Sequence, residues 1–360
     1  MLKYNFFNDY SEGAHPSLLE LMVQSNTVQE DGYGNDSLSL QAAALLKKAI
    51  ANPQADIHFI PGGTQANLVA LGAILRPHES IIAAASAHIN VHEAGAIEAT
   101  GHKIDLAASS NGKLTSAQVQ ELVDLHTDEH MVKPRVVFIS NSTEVGTIYS
   151  KSELASLAEV CRANHLYLYL DGARLGSALT SRACDLTLPE LSRMVDMFYI
   201  GGTKNGALLG EAMVINNPEL RQDFRYHLKQ RGALLAKGRI IGVQFLGLFK
   251  DGLYFDLARR ANALAEKMAG GLKALGFDFL TDSPTNQIFP ILPNPLIDAL
   301  RQKYGFYTWC KVDAQRSAIR LVTSWATPEV KVDEFLQEVV SAQASDKKRS
   351  GVRGQGSEKA

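Results

Sequence analysis

A lysine stands in the glycine-flanked turn GGTKNG (201–206), directly after the apolar run Met197-Phe198-Tyr199-Ile200. Glycines there let a flat group approach the backbone while the Lys204 amine reaches it. Far upstream, PGGTQANLVALGAIL (61–75) runs a glycine turn straight into a helical pattern. The N–H groups of Gly63, Thr64 and Gln65, with the Thr64 hydroxyl, would cup a phosphate, although the same residues also suit a plain turn and N-cap. In SAHINVHEAGA (86–96), His88 follows a strand pattern, with His92 and Glu93 four and five residues on. H-x-x-x-H without the zincin glutamate and without a third ligand predicts no metal; a flat imidazole at a strand end instead stacks on a ring or moves a proton. In LYLYLDGARLG (166–176), Asp171 ends an apolar run and Arg174 follows three residues later. A carboxylate at a buried strand end needs a cation, and either Arg174 or the protonated ring nitrogen of a cofactor would serve.

In chain order these are a glycine cup, a stacking histidine, Asp-x-x-Arg and a strand-end lysine. That set meets the needs of pyridoxal 5′-phosphate: an amine to join its aldehyde, a carboxylate to keep its ring nitrogen protonated, and N–H groups for its phosphate. Neither G-x-x-x-x-G-K-[ST] nor G-x-G-x-x-G with a following acid is present, so a nucleotide has little support. Two other classes stay open. One is a pyridoxal enzyme with another outcome, such as β-elimination or transamination. The other is a non-catalytic α/β binding protein, with Asp171 paired to Arg174 and Lys204 in solvent.

The elements that must position these residues follow from periodicity. Runs at 56–60, 80–85, 135–140, 166–170, 197–201 and 212–216 read as strands, with helical patterns between them. Capping boxes at Thr115/Gln118 and Ser150/Glu153 start two of those helices. Continuously apolar strands alternating with helices predict a mostly parallel sheet covered on both faces. Helical periodicity dominates from Pro218 to about Leu275. FDFL, NQIFPIL and AIRLVTS then read as strands of a smaller α+β unit, with helices near 295–303 and 330–342. The chain has 360 residues, 46% hydrophobic and 21% charged, with net charge −2. Such a balance points away from nucleic acid and anionic membranes and toward a small-molecule enzyme. MLKYNFFNDYSEG lacks a basic-then-apolar leader pattern, which predicts a cytoplasmic protein. Cys161, Cys184 and Cys310 are widely spaced, so neither a disulfide framework nor a zinc site is expected.

GTQANLVAL, AHINVHEAG, DGARL, TKNG and RLVTSWAT together resemble the low-specificity L-threonine aldolases, in the β-eliminating lyase group of aspartate-aminotransferase-like (fold type I) enzymes. The resemblance runs from NFFNDYSEGAHP to DEFLQEVV. It implies an α/β, PLP-dependent transferase-like fold with a large mostly parallel-sheet domain and a small α+β C-terminal domain. On that pattern we expect residues 1–15 near the active site, a cofactor domain at 16–255, the small domain at 256–343 and a disordered tail at 344–360.

The resemblance also implies roles. Lys204 would carry the cofactor, Asp171 meet its ring nitrogen and His88 stack on the ring. Gly63, Thr64 and Gln65 would hold the phosphate, and Arg320 would clamp the substrate carboxylate with Arg174 beside it. Homodimers or homotetramers with shared active sites are implied, Lys237 of one subunit reaching the neighbour's phosphate in preference to Arg231 or Arg239. Three departures stand out. Glu144 takes the place of a histidine beside the substrate hydroxyl, Asn8 (or Ser11) replaces a carboxylate-binding serine, and Ser324 stands where many members have histidine. The expected activity is cleavage of L-threonine- or L-allo-threonine-like β-hydroxy-α-amino acids to glycine and an aldehyde, with a phenylserine-type aldolase as a variant. His88, Glu144 or a water held by Glu93 would be the base, although Glu93 also reads as a helix-start carboxylate serving the dipole.

Overall fold

The computed structural model describes the backbone of residues 3–354 and the side chains of residues 3–343. The disordered tail expected at 344–360 lies outside the residues whose side chains are described. In chain order the strands are β1 (Tyr4–Asn5), β2 (Asp56–Ile60), β3 (Glu79–Ala84), β4 (Ile104–Ala107), β5 (Lys133–Ser140), β6 (Tyr167–Asp171) and β7 (Met197–Gly201). There follow β8 (Glu211–Ile215), β9 (Gln287–Ile288), β10 (Ile291–Pro293), β11 (Tyr304–Gly305), β12 (Tyr307–Lys311) and β13 (Arg316–Val322).

Seven of these make one sheet in the order β2-β8-β7-β6-β5-β3-β4. All neighbours are parallel except β8, which runs against both β2 and β7. Connection length explains the exception. A crossover between parallel strands needs a dozen or more residues, and 202–210 is too short for one. The chain therefore turns back after β7 as a hairpin, closed by Gly202 N–H donating to the Gly210 carbonyl at 3.0 Å, and Lys204 sits in its turn. The carboxyl ends of β2, β3, β5, β6 and β7 consequently share one edge of the sheet, with Ser140 opposite Asp171.

The apolar runs are continuous because both faces are covered. Val137, Leu168, Phe198 and Val214 pack into one core. Their neighbours Phe138, Tyr169, Tyr199 and Met213 pack into the core on the other face. Both expected capping boxes form, at Thr115/Gln118 and Ser150/Glu153. The strand β4 escaped the reading of the sequence because it lies at the edge of the sheet and alternates apolar and polar residues. In FDFL the expected strand reduces to a bridge between Phe279 and Pro290. Beyond it the chain turns away, the Thr281 hydroxyl donating to the Val145 carbonyl.

The smaller sheet has the order β10-β13-β12, with β9 also on β13. Helices Asn294–Arg301 and Glu329–Gly354 accompany it over a third core that includes Leu296, Ile319, Leu321 and Phe335. Helix Leu253–Ala274 belongs to both halves: Tyr254 and Leu257 lie in the large core, Leu264, Met268 and Leu272 in the small one. At the N-terminus β1 pairs with β11, and Phe6 is buried in the small core. That anchoring delivers residues 7–10 to the carboxyl edge of the large sheet.

Two glycines allow the strand ends there to touch backbone to backbone. A Cβ on Gly172 would stand 1.8 Å from the Tyr199 carbonyl oxygen, and one on Gly201 would stand 2.4 Å from that of Ala173. In contrast, Gly270 is exposed within helix Leu253–Ala274 and has nothing within 4 Å of its Cβ position. Gly172→Ala is expected to cost roughly 3 kcal/mol or more, because backbone must move. Gly270→Ala is expected to stabilise by about 0.5–1 kcal/mol through helix propensity. Urea unfolding of both variants checks this, and equal effects at the two positions would contradict it.

Candidate active site

Asp171 ends β6 among other side chains, buried and hydrogen-bonded through both carboxylate oxygens. Its Oδ1 accepts from the Tyr199 hydroxyl at 2.5 Å and from Ala173 N–H at 3.0 Å. Its Oδ2 accepts from Asn67 Nδ2 at 3.0 Å. The expected alternative, an ion pair with Arg174, is not formed. The turn 172–173 caps Asp171 with its own N–H and sends Arg174 to Asp9, whose two oxygens it meets at 2.8 and 3.0 Å. Asp9 also accepts from Asn286 Nδ2 at 2.9 Å. Burial works to raise the Asp9 pKa, but the Arg174 guanidinium and Lys204 outweigh it and hold the carboxyl below its usual range.

His88 begins a short helical turn after β3, and its Nδ1 lies 2.8 Å from Glu93 Oε1. Glu93 is thus the ring's orienting partner and not a helix-start carboxylate. Its Oε1 also accepts from Asn67 Nδ2 at 2.8 Å, which joins the two carboxylates through one amide. Glu144 accepts through Oε1 from His88 N–H at 3.0 Å and from the Ser140 hydroxyl at 2.8 Å. Burial, with the Asp171 charge nearby, raises the Glu144 pKa despite the Ser140 hydrogen bond.

A cavity of about 720 Å³ brings these residues together with the cations. His88, His92, Glu144, Arg174, Lys204, Gln287 and Arg320 line it, with Tyr10, Tyr307 and Trp309 among the aromatic walls. Lys204 Nζ makes no hydrogen bond or ion pair among the described residues, and it lies over the Tyr10 ring, 5.9 Å from its centroid. Burial and then the Arg174 charge lower its pKa. Arg320 lies over both the Tyr307 and Trp309 rings, at 5.4 and 5.5 Å, and donates one N–H to the Phe7 carbonyl. Its Nε is buried without a partner among the described residues. That arginine is therefore placed and partly unsatisfied, as an anion clamp should be.

The glycine turn leads into helix Gly63–Ile74, whose N-cap Gly62 provides no side-chain cap. Its first N–H groups remain available to an anion, since Ala66 is the first to bond back, to the Gly62 carbonyl. Gly63 borders the site directly: a Cβ there would stand 3.1 Å from the Tyr199 hydroxyl that holds Asp171. The Gln65 side chain is spent on the Arg231 carbonyl, leaving that residue its backbone N–H. A free amine, a carboxylate already supported by donors, a stacking ring and an uncapped helix start fit pyridoxal phosphate by the chemistry of the donors.

Other expected residues lie elsewhere. Asn8 Oδ1 accepts from Tyr10 N–H and from the Ser11 hydroxyl, so both Asn8 and Ser11 are absorbed in their own turn and neither lines the cavity. Of the two residues between them, Asp9 holds Arg174 and Tyr10 lines the cavity. Lys237 borders a separate cavity with residues 28–32 and Arg239. Ser324 pairs with Glu12 and Thr327. Sequence reading passed over Asn67, Tyr169 and Tyr199, which look like ordinary helix and strand core; an asparagine among apolar helix residues was the available signal.

A sequence profile described as beta-eliminating lyase matches residues 9–293. A low specificity L-threonine aldolase of Pseudomonas sp. (strain NCIMB 10558) is 32% identical over 338 residues, 93% of this chain and 96% of that protein. The solved structure of Leishmania major threonine aldolase is 46% identical with a TM-score of 0.93, covering 94% of this chain and 99% of that one. Thermus thermophilus aspartate aminotransferase, 14% identical with a TM-score of 0.69 over 95% of this chain and 91% of that one, shares the fold.

Behind the lysine turn, buried Glu211 accepts from Gly202 N–H at 3.1 Å and from the Thr203 hydroxyl at 3.0 Å. Burial pushes its pKa up to about 8. A carboxyl raised in the folded protein contributes most where it stays protonated, below its unfolded range, and that contribution fades as pH climbs through the folded value. Glu211→Gln keeps an acceptor for Gly202 but cannot ionise. Its Tm in cofactor-free protein is expected to gain on wild type between about pH 5 and about pH 8. A Tm difference that stays constant with pH would show that Glu211 does not titrate in that window.

Proposed function

The chain belongs to the low-specificity L-threonine aldolase branch of the beta-eliminating lyase family, and from that premise we propose that it cleaves L-threonine, L-allo-threonine and related β-hydroxy-α-amino acids to glycine and an aldehyde with pyridoxal 5′-phosphate. The observation that carries this reading is Lys204: an amine without an acceptor among the described residues, its pKa lowered, in one cavity with His88 and a partly unsatisfied Arg320. The bound cofactor supplies an aldehyde that joins to amines and a protonated ring that accepts the electron pair left on Cα.

The roles of this chain's residues follow from their surroundings. A lowered pKa leaves more of the Lys204 amine unprotonated and nucleophilic near neutral pH. Gly63, Thr64 and Gln65 offer N–H groups to the phosphate, and Asp171 offers its carboxylate to the ring nitrogen. Arg320 binds the substrate carboxylate, because its fork is held by Tyr307, Trp309 and the Phe7 carbonyl. Arg174, neutralised by Asp9, shapes the floor beside it. His88, with Nδ1 tied to Glu93, has Nε2 to take the β-hydroxyl proton as the Cα–Cβ bond opens; the aldehyde departs and Cα takes up a proton to become glycine. Glu144, with its raised pKa, is the second candidate for that proton.

The position of Lys237 outside the cavity supports a homodimer or homotetramer in which it reaches a neighbour's phosphate. Exposed apolar side chains at Val23, Val28, Leu40 and Tyr226 are consistent with such contacts. Among the described residues no helix is long and apolar enough to cross a membrane. Three unpaired cysteines support a reducing, cytoplasmic setting.

Wild-type protein loaded with pyridoxal phosphate should show a cofactor absorbance band that borohydride bleaches, and should release glycine plus aldehyde from L-threonine, L-allo-threonine and L-phenylserine. Lys204→Ala should lose both the band and turnover. An oxo acid with ammonia in place of glycine would move the protein to β-elimination. His88→Phe keeps a flat ring without a proton acceptor, so the band should remain while kcat falls about a hundredfold or more. Full kcat in that variant would transfer the base to Glu144.

A further inference from the structure

Asn67 lies on the fifth residue of helix Gly63–Ile74, wholly buried beneath the glycine cup. Its amide makes three contacts, and each constrains the others. Nδ2 donates to Glu93 Oε1 at 2.8 Å and to Asp171 Oδ2 at 3.0 Å, while Oδ1 accepts from the Tyr169 hydroxyl at 3.0 Å. The orientation is dictated by chemistry. Two carboxylates facing the amide require its donor side, and the Tyr169 phenol then supplies the proton for its acceptor side. Tyr169 holds that proton firmly, because burial and the Asp171 charge raise its pKa well above the ordinary value.

The two oxygens of Asp171 are not equivalent. Oδ1 already receives two donors, Tyr199 and Ala173, whereas Oδ2 receives only Asn67. Oδ2 is therefore the oxygen with a lone pair left for an incoming ring N–H. The same amino group that steers Oδ2 also holds Glu93, which in turn orients His88. We infer that Asn67 is a positioning residue that aims Asp171 Oδ2 at the cofactor ring nitrogen and, through Glu93, sets the stacking ring of His88 over the same site. This inference rests on the cofactor reading above.

The test compares dissociation constants, with no dependence on turnover. Pyridoxal phosphate and an analogue carrying carbon in place of the ring nitrogen are titrated into cofactor-free wild type, Asn67→Leu and Tyr169→Phe. Asn67→Leu has nearly the same shape but no donor. In wild type the natural cofactor should bind more tightly than the carbon analogue. In Asn67→Leu that preference should shrink about tenfold, as loss of one hydrogen bond to a charged group implies, with analogue affinity little changed. Tyr169→Phe frees the amide to turn without emptying the site, so it should shrink the preference by a smaller factor, and it decides the matter if Asn67→Leu does not fold. Equal loss for both ligands, or an unchanged preference in the variants, would overturn the role of Asn67. Failure of wild type to bind pyridoxal phosphate at all would instead overturn the cofactor reading.

Discussion

The whole site depends on satisfying one carboxylate at the buried end of β6. Asp171 has almost no contact with water, and a polar group taken out of water is costly unless donors meet it. Among the described residues no cation pairs with it. Three donors do the work: a phenol from the neighbouring strand β7, an amide from the cup helix, and an N–H from its own turn. Each donor comes from an element that carries another part of the site. Tyr199 precedes the lysine hairpin, Asn67 follows the cup, and Ala173 leads to Arg174. Holding the carboxylate and assembling the site are thus the same packing problem.

Charge balance extends the argument across the cavity. Three cations, Lys204, Arg174 and Arg320, line one space, and they would repel one another without compensation. Asp9 neutralises Arg174 in a bidentate pair. What remains is a lysine whose amine is easily deprotonated and an arginine without a carboxylate of its own. Those are the two groups a small amino acid needs to meet, one for its reaction and one for its carboxylate. The N-terminal segment matters for the same reason: β1 ties it to the small sheet, and its next residues give Asp9 to one arginine and the Phe7 carbonyl to the other.

Much of this was legible in the sequence because the chemistry sits at strand ends. Lys204, Asp171, His88 and the cup each follow an apolar run, and the two capping boxes marked helix starts by purely local hydrogen bonds. Only the alternative that paired Arg174 with Asp171 failed, and for the converse reason. Nearness in the chain suggested pairing with Asp171, but Gly172 lets the chain turn so tightly that Ala173 N–H reaches the carboxylate first and the arginine is carried to a residue 165 positions away. Asn67, Tyr169 and Tyr199 stayed hidden because their bodies are core packing and only their polar tips serve the site. No periodicity distinguishes a tyrosine whose hydroxyl finds a carboxylate on the next strand.

The same geometry explains why the lysine belongs to the one antiparallel turn of the large sheet. A parallel crossover would leave β7 through a loop into a helix and carry the chain away from this edge. The hairpin after β7 instead returns within nine residues and is pinned on both sides, by Gly202 to the Gly210 carbonyl and by Glu211 to Gly202 N–H and the Thr203 hydroxyl. Register then fixes what surrounds it. Glu211 stands opposite Gly201 on one side and Ile60 on the other, and Ile60 runs directly into the glycine cup. Reversing β8 therefore places the lysine turn and the phosphate cup on either side of one strand, next to the carboxylate that ends β6. An all-parallel sheet of these strands would have separated them.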